Sequence, residues 1–385
     1  MGSLTPSSIT SNERLHYLDA LRAFVMSIGV VLHASLIAGV HHWAPEAVTA
    51  FSHLFRMKLF IIIGGYFFAL QAARIGAKAV TKDRIRRLGV PILVFLLIFN
   101  PITIYIWNSR EDNYPEMYFY IFNMPDPYLD THGAGWHLHI WFLIVLFIYC
   151  ILLAGFTILV EKRPFSGFIS ILEKLPDWMI LAVLAATTSA LFVAGRILHF
   201  ILFQESTEDG PLNYILQATL TYAPFFVLGI VFYKSNTIFK AVHRFSVLQT
   251  LVSFGLLAVI WSSDEWLTST IGFAPSEAVR HFSQEFAGFY ICCLFLFLFS
   301  KYVKKHNRLV RYLSDSSYTV YLFHIFVLVS VDWILFSFVG NGFIVYVASI
   351  PIAYLICIAL HRYVVTSSPV LAYLFNGKPL QGRRT

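Results

Sequence analysis

Asp19, Arg22 and His33 stand in a stretch, YLDALRAFVMSIGVVLHAS (residues 17–35), that is otherwise suited to hydrocarbon. A charged side chain at a bilayer centre costs on the order of 2.5–3.5 kcal/mol on insertion scales, so each must find a partner, a wet cavity or a task. Arg22 and His33 are eleven residues apart, which is three helical turns with about 20° of drift and roughly 16 Å along one helix face. Asp19, three residues before Arg22, can pair with it. The spacing predicts a polar stripe from one helix end to an imidazole deep in the apolar layer, with a wet passage joining the two. Imidazole is the side chain best suited to take a proton from a hydroxyl near neutral pH. His33 is therefore the candidate general base, with Arg22 and Asp19 as its companions. The plainer alternatives are an inter-helix hydrogen bond for His33 and headgroup anchoring for the other two.

Further clusters follow along the chain. In DRIRRLGVP (83–91), Arg84 and Arg87 lie at i, i+3 with Arg86 and Lys82 beside them. Guanidinium groups bind phosphate oxygens in bidentate geometry, so these arginines form a candidate clamp for a phosphorylated donor as well as an ordinary basic rim. In GWHLHIWFL (135–143), His137 and His139 alternate and should point about 200° apart on a helix, which makes a poor metal pair. Trp141 fits an interfacial aromatic belt. In SYTVYLFHI (317–325), Tyr318, Tyr321 and His324 recur every three residues and share a face that must look towards protein or water. Arg56, Arg196 and Glu285 read as rim anchors near helix ends, with Arg56 kept as a site-lining candidate. Walker and Rossmann glycine patterns, a GxSxG elbow and HExxH are absent, and no metal site is expected. The reactive inventory is histidine, arginine and tyrosine inside apolar segments.

The elements that must position these groups are legible from composition. The chain is 58% hydrophobic, 17% aromatic and only 13% charged, where a soluble domain carries about 25% charge. Mean hydropathy is +0.69. The class is all-α, a polytopic membrane bundle forming one domain over 1–385. Apolar windows fall near 20–40, 54–73, 88–107, 139–160, 178–200, 212–233, 246–262, 285–303, 316–337 and 342–362, about ten spans of the length a bilayer needs. A polar leader over 1–16 and a tail over 363–385 flank them, and the first run reads as an uncleaved span rather than a signal peptide. Most of the 28 Lys and Arg residues fall in alternate loops, while acids gather in the others. This bias places both termini in the cytosol and accounts for the net charge of +7 without a nucleic-acid partner. The loop 109–137, rich in Tyr, Pro, Asn and Asp, reads as a solvated connector or as a lip for a sugar-like acceptor. Cys150, Cys292, Cys293 and Cys357 all fall in apolar runs and read as core packing.

In order along these windows, YLDALRAFVMSIGVVLHAS, FRMKLFIIIGGYFF, RIRRLGVPI, HIWFLIVLF and SYTVYLFHI resemble the acyltransferase-3 membrane family. FRMKLF and the tail LFNGKP look most like a branch associated with succinylating osmoregulated periplasmic glucans. The resemblance implies His33 as catalytic histidine, Arg22 as its motif partner, and Arg84 and Arg87 as the Arg-x-x-Arg element that handles the acyl donor. His139 with Trp141, and Tyr321 with His324, match family positions to which no role is assigned. It further implies no permanently bound cofactor, succinyl-CoA or acetyl-CoA as donor substrate, a periplasmic glucan as acceptor, and a multi-pass place in a bacterial inner membrane. Gly64 departs from the serine common in relatives, and a proline often found after the position of His324 is absent. Two other readings stay open: O-acetylation of another extracytoplasmic polysaccharide, and a secondary transporter or flippase, since intramembrane His and Arg suit transport as well. No internal repeat is visible in support of transport.

Overall fold

The computed structural model describes residues 16–40, 42–108, 136–160, 166–203, 211–303 and 307–380. Among the described residues every regular element is helical. In chain order these are α1 (His16–Ala38), α2 (Trp43–Ile75), α3 (Ala77–Trp107), α4 (Trp141–Val160), the short α5 (Ser166–Leu172), α6 (Asp177–Phe203) and α7 (Pro211–Lys234). There follow α8 (Asn236–His243), α9 (Val247–Ser262), α10 (Asp264–Ile271), α11 (Phe273–Tyr302), α12 (Arg308–Val339), α13 (Gly342–Ala359) and α14 (Pro369–Asn376). Each apolar window of the sequence falls on one of these helices. Among the described residues eight helices, rather than the expected ten, are long and apolar enough to cross a membrane; α8 with α9, bent by 80° at their junction, brings the number to nine if the pair is one span. The window at 246–262 falls short of a full span because α9 has only 16 residues, about 24 Å at the helical rise against a hydrocarbon layer of about 30 Å. The proposed acceptor lip lies outside the described residues, Trp136 and His137 excepted.

Lipid offers no hydrophobic drive between helices, so close backbone approach has to come from small residues. α2 sits centrally and meets α7 at two glycines. A Cβ on Gly229 would overlap the Ile62 carbonyl oxygen, and one on Gly65 would overlap that of Phe226. Gly288 of α11 faces the Leu54 carbonyl of α2 in the same way. These contacts draw α2 into the interior together with the polar residues it carries. The four cysteines are free and buried.

α3 contains two π turns, Ile85–Gly89 and Phe95–Phe99. Pro91 has no N–H and cannot donate to the carbonyl of Arg87, four residues back. The Tyr318 hydroxyl of α12 donates to that carbonyl instead, at 2.9 Å. Local sequence thus creates an orphaned acceptor, and a residue from a distant helix satisfies it.

The C-terminal segment differs from the expected tail. α13 continues through a π turn at Leu360–Val365. Ser368 then caps α14 by accepting the Val370 N–H at 3.3 Å. Phe375 inserts among Phe323, Phe99 and Phe95, with ring centroids 5.0, 5.8 and 6.3 Å away. Gly377 ends the helix at φ +57° and lies so close to the Arg86 and Arg87 backbone that a side chain there would overlap it. An eight-residue helix is far below spanning length, so its docking is decided by aromatic contacts with residues remote in the chain.

Phe375→Ala should destabilise the solubilised protein by about 3–5 kcal/mol, the range for truncating a buried Phe, read as a lowered Tm. Gly229→Leu should be worse, because backbone rather than a flexible side chain stands in the way; loss of a monodisperse species on gel filtration is the expected result.

Candidate active site

Three elements bring imidazoles together. His33 of α1 and His324 of α12 have ring centroids 5.2 Å apart. His139 approaches His324 to 4.8 Å. His139 does not sit on a regular α-helix, as its spacing from His137 suggested, but in a 3₁₀ turn, Leu138–Ile140, ahead of α4. Leu138 takes φ +43°, a left-handed conformation that is uncommon for a branched residue. With this irregular backbone both His137 and His139 are buried, and His137 stacks on Tyr214 at 5.7 Å. Tyr321 completes the group, donating its O–H to the His139 carbonyl at 2.5 Å.

The backbone sets the tautomers of two rings. His139 Nε2 faces the Leu322 carbonyl at 3.1 Å. His324 Nδ1 faces the Tyr321 and Val320 carbonyls at 2.7 and 3.1 Å. A carbonyl oxygen can only accept, so in the neutral rings these nitrogens carry the protons. The other nitrogens, His139 Nδ1 and His324 Nε2, are buried without a partner and present lone pairs. His324 therefore offers an acceptor nitrogen on a ring adjacent to His33, which its place in the sequence did not reveal.

Arg56 and Glu285 are not rim anchors. Arg56 is 9% exposed and Glu285 3%, drawn inward by the close approach of α2 to its neighbours. Glu285 pairs with Lys58 at 3.1 Å, and Lys58 also donates to the Leu54 carbonyl at 2.6 Å. Arg56 lies against Gly29 of α1, where an added Cβ would stand 2.6 Å from its Nη1. Its field acts on His33, His139 and His324, and the phenols of Tyr214, Tyr222 and Tyr321 are its electrostatic neighbours. Trp141 packs on Tyr214 and Tyr222 at 5.3 and 6.1 Å, half-buried in the bundle.

A cavity of about 430 Å³ approaches this cluster from the end of the bundle that carries the arginines. Arg22, Arg84, Arg87 and Lys378 with the acids Asp19 and Asp315 supply charge to its lining, Gln71 and Asn376 supply amides, and Phe60, Ile63, Leu143 and Leu146 form apolar wall. Arg84 donates to Gln71 Oε1 at 2.9 Å, while its Nε is buried without a partner. Arg87 pairs with Asp83 at 2.7 Å. Arg86, expected beside them at the donor, is not part of the lining: it binds Asp83 at 2.5 Å and donates to the Gly377 carbonyl at 3.0 Å, fastening the C-terminal segment. Tyr318 and Tyr321 line the cavity, but none of the three histidines does. The passage expected between Arg22 and His33 thus stops at Tyr321, whose ring stands 6.1 Å from that of His324. Among the described residues no group of three or more His, Cys, Asp or Glu is arranged to hold a metal ion.

The sequence reading missed Gln71, Asn376, Lys378 and the Lys58–Glu285 pair. Lys58 was signalled by its place within the apolar run FRMKLFIII, and Asn376 and Lys378 by the tail LFNGKP; Gln71 carried no signal of its own.

Residues 15–362 match the acyltransferase-3 family, described as an acyltransferase domain. The chain belongs to the acyltransferase-3 family. It is similar to proteins named glucans biosynthesis protein C from Salmonella paratyphi B, Salmonella heidelberg and Salmonella paratyphi A, each 26% identical over 95% of both chains. No solved structure matches. With its apolar helices, this acyltransferase-3 chain is a multi-pass membrane acyltransferase. α14, Asn376 and Lys378 lie beyond the region matched to the family.

Tyr318→Phe removes the hydrogen bond to the Arg87 carbonyl, which lies at an exposed position, and should cost about 0.5–1.5 kcal/mol, the net worth of one hydrogen bond. Thermal unfolding in detergent, compared with the wild type, measures it.

Proposed function

We propose that the protein transfers a succinyl group from succinyl-CoA in the cytosol to hydroxyls of a glucan on the far side of a bacterial inner membrane, with both chain termini cytosolic. The observation that carries this reading is a cavity that begins among cations and ends at a phenol in contact with buried histidines. Its volume falls within the about 300–1,000 Å³ usual for small-molecule sites. The names of the relatives support the glucan acceptor.

In this mechanism Arg84, Arg87 and Lys378 hold the donor's phosphates, for which guanidinium forks are well matched. The pantetheine arm follows the apolar wall past Ile63 and Leu146 and brings the thioester to Tyr321. Movement of the Tyr321 ring opens the last step to His33. A glucan hydroxyl enters from the opposite end. Its oxygen attacks the thioester carbonyl carbon, and His33 accepts the hydroxyl proton as the C–O bond forms. The Tyr321 O–H donates to the oxyanion of the tetrahedral intermediate. The C–S bond then breaks, and the proton passes from His33 to the departing thiolate. The lone pair on His324 Nε2 shares the imidazolium proton of His33 between the two events. Attack is direct, without an acyl-enzyme on cysteine, whose four thiols are buried in the packed interior.

Purified protein incubated with labelled succinyl-CoA and a glucan should yield label on the glucan and a succinyl mass increment. His33→Ala should reduce transfer by about 10²–10⁴-fold, the range of a general base, with an unchanged gel-filtration profile. Full activity of that variant refutes the assignment. Lys378→Ala should raise KM for the donor about tenfold, the scale of one charge-assisted hydrogen bond, and leave kcat nearly unaltered.

A further inference from the structure

We infer that Arg86 is a positioning residue for the acyl donor: by holding the Gly377 carbonyl it sets the C-terminal segment, residues 368–378, as a clamp whose Lys378 engages the donor's phosphates. Docking of the segment and binding of the donor then reinforce each other. This rests on the coenzyme A reading above and adds to it the device that completes the mouth of the cavity.

Local sequence gives the segment a start and a stop. Pro369 suits the first helical position after the Ser368 cap, since an N–H there would have no intrahelical partner. At the other end the N–H groups of Gly377 and Lys378 donate to the Tyr373 and Ala372 carbonyls at 2.9 and 3.1 Å. Pro379 follows and steers Lys378 towards extended backbone. Two turns of helix cannot hold themselves in water, so contacts with other elements place the segment. Phe375 supplies the apolar contact, among the rings of Phe95, Phe99 and Phe323. Arg86 Nε supplies the polar one, donating to the Gly377 carbonyl at 3.0 Å. Gly377 stands between Asn376 and Lys378, the two residues through which the segment lines the cavity. The Arg86 bond therefore grips the segment where it meets the cavity.

The charges of the lining are not equally committed. Arg87 is paired with Asp83 at 2.7 Å, and Arg84 donates to Gln71 at 2.9 Å. Lys378 is exposed, and among the described residues no carboxylate pairs with it. Its ammonium is a hydrated point charge that can meet a phosphate without giving up an existing ion pair. Asp83 also binds Arg86, so one carboxylate aligns two adjacent arginines for separate duties. Arg87 faces the cavity, and Arg86 faces the segment. A donor phosphate seated at Arg84 and Arg87 attracts Lys378, which stabilises the docked segment. Linkage requires the converse by the same factor: what the bound donor adds to docking, docking adds to donor affinity.

The experiment uses full-length protein in nanodiscs. Succinyl-CoA with a glucan acceptor gives KM and kcat, and coenzyme A alone is the probe in hydrogen exchange over residues 369–378. Arg86→Ala should raise KM for the donor about tenfold, the scale of one charge-assisted hydrogen bond, and leave kcat nearly unaltered. Arg86→Lys, which can still donate to the carbonyl, should restore part of that loss. Lys378→Ala added to Arg86→Ala should raise KM less than about twofold further, because the two act through one contact. Phe375→Leu, which touches neither Asp83 nor Arg87, should raise KM in the same direction. Saturating coenzyme A should slow exchange of the segment about tenfold in the wild type and have little effect in Lys378→Ala. Equal exchange with and without coenzyme A in the wild type would overturn the inference without Arg86→Ala, should that variant not fold. Effects of Arg86→Ala and Lys378→Ala that multiply to about 100-fold would overturn it too, as would faster exchange of the segment in Arg86→Ala with KM unchanged; each of these leaves the coenzyme A reading intact. If the wild type binds no coenzyme A, the donor reading fails and this inference with it.

Discussion

The hydrogen bond from the Tyr321 hydroxyl to the His139 carbonyl, 2.5 Å long, joins the two halves of the site. On one side of it lies the cavity with its cationic lining; on the other lie the three imidazoles. It also ties α12 to the irregular turn before α4, and that turn in turn directs His139 Nε2 to the Leu322 carbonyl of α12. The two bonds run in opposite senses between the same pair of segments. In a low-dielectric interior such reciprocal pairing is stronger than in water, and a lost partner is correspondingly costly. The positions of His139 and His324 and the closure of the cavity all depend on it.

Polar side chains elsewhere in the bundle obey the same constraint. Lys58 and Glu285 neutralise each other, and Tyr149 donates to the Thr219 carbonyl at 2.7 Å. Among the buried polar atoms left without a partner, which include Arg84 Nε at the basic end, two belong to the imidazole cluster: His139 Nδ1 and His324 Nε2. Packing by glycine at Gly65, Gly229 and Gly288 brings α2 into backbone contact with its neighbours.

At the basic end, a different set of local rules builds the mouth. Pro91 withdraws a donor, the helix relaxes into a π turn, and Tyr318 from α12 takes the vacant place. Gly377 then allows the C-terminal segment to lie on the Arg86–Arg87 backbone, with Arg86 bonded to its carbonyl. The arginine run RIRR is thereby divided by role: Arg84 and Arg87 face the cavity, while Arg86 secures the segment that presents Asn376 and Lys378.

From the sequence alone came the all-α membrane class and the approximate position of the apolar helices, together with Asp19, Arg22, Tyr318 and Tyr321, which the structure places around one cavity. These follow from hydropathy and from the 3.6-residue period, which are properties of one segment at a time. Tertiary structure decided the rest. That His33, His139 and His324 meet, that Arg56 and Glu285 are buried rather than at a rim, that Arg86 leaves the site and Lys378 enters it, and that Tyr321 closes the passage all depend on how helices remote in the chain approach one another. Helix approach is governed by backbone contact at glycines and by pairing of buried polar groups across helices, and neither has a periodic signature within a single stretch of sequence.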